Sequence, residues 1–294
     1  MINFLKFNLG NYFLLLRPYQ WPKNLLIYVA IITSQHFTFY NLSSSSIAFF
    51  AFCLTASGGY IINDILDIKS DQLHPTKSVR PIAQGIISIK NSFIVAILLY
   101  IISFSIALFI EGLLIYFLIY SVLSISYSMF VKKIPWIDCF LLALLYIFRV
   151  YIGGIAIDVE ISYWLLFFSF FIFTSLSLLK RYSDISLLKY NDKFQRRGYN
   201  KKDINKAYII GSSSGYISSL ILALYFFSPR AIEIYNLYII FFTVPIINLW
   251  IWWMWFNAKK NNLYDPLLFI YKDKISLQLG MLFSIIMILA IFFN

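Results

Sequence analysis

The sequence predicts an all-α polytopic membrane protein, and three observations carry that prediction. Of 294 residues, 61% are hydrophobic and 13% charged, with a mean hydropathy of +0.77. Soluble domains run at about 45–50% apolar and about 25% charged, and one globular core could not hide this much apolar surface. A soluble enzyme is excluded, and so is a disordered chain. The apolar residues fall in runs of about 20, the length a helix needs to cross hydrocarbon. The charges gather between those runs and are unequal in sign, with a net of +11.

Nine such runs follow in order, each bounded by polar residues. The first, 21–40, follows Arg17 and Pro18, and no small-residue cleavage site follows it, so it is expected to be retained as a span. The second, 47–62, ends on Asn63, and the third, 92–110, lies between Lys90 and Glu111. The fourth, 113–131, stops at Lys132. The fifth, 136–157, contains Arg149 and ends before Asp158. The sixth, 163–179, stops at Lys180, and the seventh, 207–227, starts after Lys206. The eighth and ninth are 232–256 and 275–293. Odd-to-even connections are short; even-to-odd ones are longer and polar, above all about 63–90 and 180–206. A single domain over 1–294 is expected.

Charge orients the spans. All 24 Lys and Arg except Arg149 and Arg230 lie up to the start of the first span or in even-to-odd connections. The positive-inside rule makes those connections cytoplasmic, with the N-terminus inside a plasma (inner) membrane. Glu111, Asp158, Glu160 and Glu233 fall on the other side. Most of the +11 is thus a topology signal, and the spans leave little aqueous face for nucleic acid despite a pI near 9.4. Cys53 and Cys139 lie in apolar runs, and with His36 and His74 they offer neither a disulfide framework nor soft-metal spacing.

Chemistry concentrates directly after the second run, in Asn63, Asp64, Asp67 and Asp71. At about 100° per residue on a helix, these residues fall within about 100° of one another. Carboxylates gathered at a membrane boundary repel one another unless a cation cancels them. A hard divalent ion is the natural partner, and Mg²⁺ favours one or two carboxylates plus phosphate oxygens. A solvated acidic loop is the plainer alternative, but three carboxylates in register among only 13 acids argue against it. Lys77 and Arg80 follow at once, suited to the diphosphate of a ligand that the metal also holds.

Asn-Asp-x-x-Asp-x-x-x-Asp at 63–71, followed by Arg-Pro-Ile-x-x-Gly at 80–85, resembles the first signature of the UbiA prenyltransferase superfamily. That resemblance implies a nine-helix bundle with a cytoplasmic-side cavity where Mg²⁺ holds a diphosphate leaving group. Further points are similar to the decaprenyl-phosphate phosphoribosyltransferase branch. They are Leu16-Arg17-Pro18-x-Gln20-Trp21-x-Lys23-Asn24, His74-Pro75-Thr76-Lys77, Tyr127-Ser128 with Lys132, Asp138, Phe148-Arg149 with Gly153-Gly154, Lys180-Arg181-Tyr182 and Asp265-Pro266-x-x-Phe269. The branch implies transfer of 5-phosphoribose from phosphoribosyl pyrophosphate to a polyprenyl phosphate, with release of pyrophosphate. Asp64, Asp67 and Asp71 would carry the chemistry and, with Asn63 and Asp184, the metal. Lys23, Asn63, Lys77, Arg80, Lys132, Arg149, Lys180, Arg181 and Tyr182 would bind substrate.

Where most of the superfamily has a second acidic motif, this chain has Lys180-Arg181-Tyr182-Ser183-Asp184. The departure favours the phosphoribosyl branch, with Lys180 and Arg181 directed at a phosphate or serving only the positive-inside bias. The basic run Lys189, Lys193, Arg196, Arg197, Lys201, Lys202 and Lys206 reads for most of its residues as attraction to anionic headgroups, while a loop closing over a polyanionic donor stays open for Arg196 and Arg197. Arg149 either lines the phosphate cavity or pairs with a group on another span; Gly153 and Gly154 read as close helix packing. Trp250, Trp252, Trp253 and Trp255 resemble an interfacial aromatic belt. Two other readings stay open: a UbiA-type enzyme moving an isoprenoid from its diphosphate to an aromatic acceptor, and a polyprenyl-phosphate transporter without chemistry.

Overall fold

A computed structural model describes residues 9–73, 77–187, 198–263 and 265–294. Every regular element among them is helical. Among the described residues eight helices are long and apolar enough to cross a membrane. The described residues fall in two compact units, Met1–Lys132 with Phe148–Ile161, and Lys133–Ile147 with Ser162–Asn294.

The first unit opens with α1 (Leu9–Leu16), a 3-10 stretch (Pro18–Tyr28) and α2 (Val29–Ser34). Over the first span predicted at 21–40 the chain is continuously helical only as far as Ser34, and the larger part of that stretch is 3-10 rather than α-helix. Pro22 removes a backbone donor inside the segment, which tightens it into 3-10 turns. Gln35 then ends α2 in a left-handed conformation. Helix α3 (Phe39–Gln72) follows, capped by the Thr38 hydroxyl accepting from the Asn41 N–H.

At 34 residues α3 is about 51 Å long, against about 30 Å of hydrocarbon, so it overruns the bilayer by several turns. The acidic face therefore rides on helix, and the connection expected from 63 begins only after Gln72. Small residues line the buried side of α3, among them Ser44, Ala48, Ala51, Ala56, Ser57 and Gly58. They admit α4 (Ile89–Ala107) and α5 (Leu113–Met129). The Ser103 hydroxyl on α4 donates to the Ala51 carbonyl, 2.7 Å.

Helix α6 (Ile137–Ala156) gives its later residues, from 148 on, to this unit. A Cβ at Gly153 would sit 2.0 Å from the Ile27 carbonyl oxygen, so only glycine lets α6 lie against the 3-10 stretch. Close packing is thus the part Gly153 plays.

The second unit holds the start of α6, α7 (Tyr163–Leu187), α8 (Ile204–Tyr225), the short α9 (Pro229–Ile234) and α10 (Leu237–Ile240), then α11 (Thr243–Lys259), α12 (Pro266–Lys272) and α13 (Lys274–Phe292). Its core gathers Cys139, Leu178, Leu179, Ile251, Met254 and Trp255. Helix α8 packs along α7, and α11 lies against both. A Cβ at Gly211 of α8 would meet the Trp255 ring at 2.4 Å, so this glycine makes the seat for that indole. Helix α13 buries little of itself and leaves Met281, Leu282, Ile285 and Ile288 outward, as a lipid-facing helix does.

Candidate functional site

The last turns of α3 carry Asn63, Asp64, Asp67 and Asp71, one or two turns apart on one face. Three cations from three other segments of the same unit meet them. Arg80 Nη1 donates to Asp64 Oδ1 at 2.8 Å and to Asp71 Oδ2 at 2.5 Å. Arg17 also pairs with Asp64. Lys132 Nζ, in the 3-10 turn after α5, donates to Asp67 Oδ1 at 2.6 Å and to Asn63 Oδ1 at 3.2 Å.

Each cation is delivered by local structure that the sequence encodes. The loop after α3 folds Arg80 back through successive turns: the Gln84 N–H donates to the Arg80 carbonyl, and the Ile86 N–H to that of Pro81. Gly85, at φ +73°, lets the chain leave those turns. Gln72 Nε2 ties the loop to the end of α3 through the Ala83 carbonyl, 3.1 Å, and Ile82 and Ile87 anchor it in a core with Leu15 and Ile61. The Arg-Pro-Ile-x-x-Gly segment is therefore a device for returning a guanidinium to α3. Lys77 lies in the same loop, its carbonyl accepting from the Arg80 N–H at 3.0 Å.

Arg17 is absent from the set of ligand-binding residues read from sequence. It lies in the left-handed region (φ 52°, ψ 56°), directly before Pro18, where a non-glycine residue costs about 1–3 kcal/mol. The Ser57 hydroxyl donates to the Leu16 carbonyl (2.7 Å) and accepts from Trp21 Nε1 (3.1 Å), which clamps the segment onto α3. Burial works against the charge of Arg17, but the Asp64 carboxylate beside it holds the guanidinium above its ordinary pKa. Its signal in the sequence is the Leu16-Arg17-Pro18 stretch at the head of a membrane segment, which carries the family resemblance but shows no link to Asp64.

These contacts set three carboxylates against three cations, with Lys77 in the adjoining loop as a further cation. Burial is unequal: the side chains of Asp64 and Asp71 are 5% and 2% exposed, that of Asp67 27%. Among the described residues no three His, Cys, Asp or Glu side chains converge to hold a metal, because Arg80 and Lys132 stand among the acids. The donor set is nonetheless all hard oxygen, which fits Mg²⁺ in chemistry. Asp67 and Asn63, facing one ammonium, form its more accessible half.

The remaining predicted residues are held elsewhere. Arg149, on α6, donates through Nε to Asn24 Oδ1 (2.9 Å) and through Nη2 to the Tyr120 hydroxyl (3.0 Å). Its guanidinium also lies over the rings of Phe52 and Tyr120. Lys23 precedes Asn24 in the 3-10 stretch. In the second unit, Lys180 pairs with Asp265 at 2.7 Å, and Tyr182 packs against Tyr208 and Trp255. Arg181 is fully buried, its Nε on Asp138 Oδ2 at 2.7 Å and its Nη1 on Asp184 Oδ2 at 2.9 Å. Asp184, expected to help hold metal, thus faces a guanidinium. Tyr199 completes the knot, donating to Asp138 Oδ1 (2.6 Å) and accepting from the Trp136 N–H (2.7 Å). Burial, joined by the Asp138 carboxylate, pushes the Tyr199 phenol well above the usual tyrosine range. His74-Pro75-Thr76 and Lys189, Lys193, Arg196 and Arg197 lie outside the described residues.

Comparison with known proteins gives the chain its setting. A family model described as the UbiA prenyltransferase family matches residues 25–292. An uncharacterised protein of Sinorhizobium fredii is 29% identical over 282 residues, covering 94% of this chain and 55% of that protein. A decaprenyl-phosphate phosphoribosyltransferase of Corynebacterium glutamicum is 33% identical over 178 residues, covering 58% of this chain and 54% of that enzyme. The chain therefore spans about half the length of these curated relatives. Among solved structures, a UbiA homologue of Archaeoglobus fulgidus bound to GPP and Mg²⁺ superposes with a TM-score of 0.71 at 19% identity, covering 94% of this chain and 96% of that one, a likeness of fold.

Proposed function

The chain belongs to the UbiA prenyltransferase family, and within it we propose that this protein is an Mg²⁺-dependent phosphoribosyltransferase of the plasma membrane. The donor is phosphoribosyl pyrophosphate, the acceptor is a polyprenyl phosphate, and the products are the phosphoribosyl lipid and pyrophosphate. The carrying observation is the cluster at the end of α3, where Arg17, Arg80 and Lys132 stand against Asp64, Asp67 and Asp71. The likeness to decaprenyl-phosphate phosphoribosyltransferases supports the choice of substrates, and the N-terminus lies on the cytoplasmic side by the charge rule.

An oxygen of the lipid phosphate attacks the ribose C1 as the bond from C1 to the pyrophosphate oxygen breaks. Positive charge develops on the ring, and negative charge on the leaving group. Arg80, Arg17 and Lys132 receive that negative charge, and such fixed electrostatics can be the largest catalytic contribution. Asp64 and Asp71 hold the two guanidinium groups in place, so their orientation exists before substrate arrives. The lipid phosphate is already ionised and needs no strong base, in keeping with a chain that has only two histidines. Asn63, Asp64, Asp67 and Asp71 would hold Mg²⁺, which supplies charge neutralisation at the diphosphate.

Charge pairing makes the coupling of metal and donor testable. A diphosphate entering a cluster whose cations already face carboxylates brings uncompensated negative charge, whereas with a divalent ion its oxygens and the carboxylates each gain a partner. Labelled phosphoribosyl pyrophosphate should bind the purified protein at least about tenfold more tightly with Mg²⁺ than with chelator. With polyprenyl phosphate added, the label should pass into the lipid phase only when Mg²⁺ is present. Prenylation of an aromatic acid without any phosphoribosyl lipid would instead identify a prenyltransferase, and binding without turnover of either kind a transporter.

A further inference from the structure

The second unit carries a feature that this chemistry does not use. Helices α8 and α11, both membrane spans, lie side by side. Between them Tyr208 and Tyr216 face Trp252, Trp255 and Phe256 across a cavity of about 140 Å³ that Lys259 also lines. The lining residues recur every one or two turns on each helix, so the groove runs about 12 Å along them. Trp255 is its rigid floor, buried and donating through Nε1 to Ser175 Oγ at 3.1 Å. Tyr216 and Trp252 are each about half exposed and open the groove on its outer side.

One end of this groove is charged. Lys259 Nζ sits 4.1 Å from the Tyr208 ring centroid, and Lys260 Nζ sits 4.3 Å from that of Phe256. Two exposed ammonium groups are thereby held by aromatic faces, at the C-terminal end of α11. A neutral lipid would fill the rings and leave both charges in place, while a free phosphate would meet the charges and leave the rings empty. An amphiphile with an anionic head and an apolar chain matches both.

We infer that the groove between α8 and α11 is a binding site for an anionic glycerophospholipid of the surrounding bilayer. Its phosphate rests on Lys259 and Lys260, and the first part of one acyl chain lies along Tyr208, Trp252, Trp255 and Phe256. The ligand set includes no residue of the α3 cluster, so the site stands or falls independently of the proposed reaction.

Native mass spectrometry of the full chain, released from detergent with equal amounts of phosphatidylglycerol and phosphatidylcholine of one chain length, reads the site directly. The expected result is retention of phosphatidylglycerol at least about tenfold over phosphatidylcholine, with no displacement by millimolar inorganic phosphate. The Lys259→Gln/Lys260→Gln double variant, altered only at exposed positions, should lose that preference. Ser212→Phe, which fills the groove and leaves both lysines, should lose it too, with thermal unfolding confirming that each variant is folded. Equal retention of the two lipids, displacement by phosphate, or preference surviving in either folded variant would overturn the assignment. Displacement of phosphatidylglycerol by equimolar polyprenyl phosphate would also overturn it, and would give the groove to the acceptor.

Discussion

Asp64 and Asp67 are three residues apart on one helix, yet they do different work. Asp64 is buried and shared between Arg17 and Arg80. Asp67 is the most exposed acid of the face and leans on one lysine. Neutralising Asp64 strands the two guanidinium groups that faced it, at about 3–5 kcal/mol, whereas Asp67 is 27% exposed and its partner Lys132 keeps the Asn63 Oδ1 acceptor, so neutralising Asp67 costs less. Asp64→Asn should therefore lower the thermal midpoint of the detergent-purified protein by several degrees. Asp67→Asn should leave that midpoint within a degree or two and reduce turnover at least about 100-fold, as loss of a preorganised electrostatic contact does. Comparing melting and labelled-lipid formation in the two variants separates the roles. Normal turnover in Asp67→Asn would remove this residue from the proposed metal set.

At the scale of elements, Tyr199 fastens the chain ahead of α8 to the start of α6. Tyr199→Phe removes the hydroxyl that accepts from the Trp136 N–H and donates to Asp138 Oδ1, at about 1–3 kcal/mol. The same hydroxyl predicts a pH dependence. Its folded pKa is raised by burial and by Asp138, while an unfolded tyrosine titrates near about 10. Its stabilisation is therefore complete below about pH 10 and shrinks above it, as the unfolded phenol ionises. The gap in thermal midpoint between wild type and Tyr199→Phe should stay constant from pH 7 to pH 9 and narrow by pH 11. A gap that widens with alkali would refute the assigned direction. Elements differ in the same way in how legible they are. The acidic face of α3 is periodic, so helix geometry alone brings Asn63, Asp64, Asp67 and Asp71 into register. Its partners are not periodic: Arg17 is 47 residues from Asp64, and Lys132 is 65 from Asp67, separations that only packing can close. Arg181 in sequence is one more cation at a span's end, and only the fold presses Asp138 against it. The stretch 21–40 is apolar enough to read as one spanning helix, but Pro22 decides the backbone of its first part locally.

For the whole molecule, the net charge of +11 and the α3 cluster address one question, the side from which the donor is met. A helix that overruns the bilayer carries its last turns into water, and those turns hold Asn63 to Asp71. The same end of α3 leads into the loop of Lys77 and Arg80, on the side to which the predicted topology assigns nearly all cations. Phosphoribosyl pyrophosphate is a soluble polyanion, so a site it serves must open to the compartment that contains it. The orientation inferred from charge and the proposed donor thus require each other. The two cysteines make this requirement testable, because both are buried and give a low background to thiol labelling. Glu160 and Lys202 are exposed and lie on opposite sides in the predicted topology. With a membrane-impermeant maleimide, Glu160→Cys should label in spheroplasts with intact inner membranes. Lys202→Cys should label only after those membranes are opened. The reverse pattern would put the α3 cluster outside the cell, away from a soluble sugar diphosphate of the cytoplasm, and the phosphoribosyl donor would have to be abandoned along with the orientation.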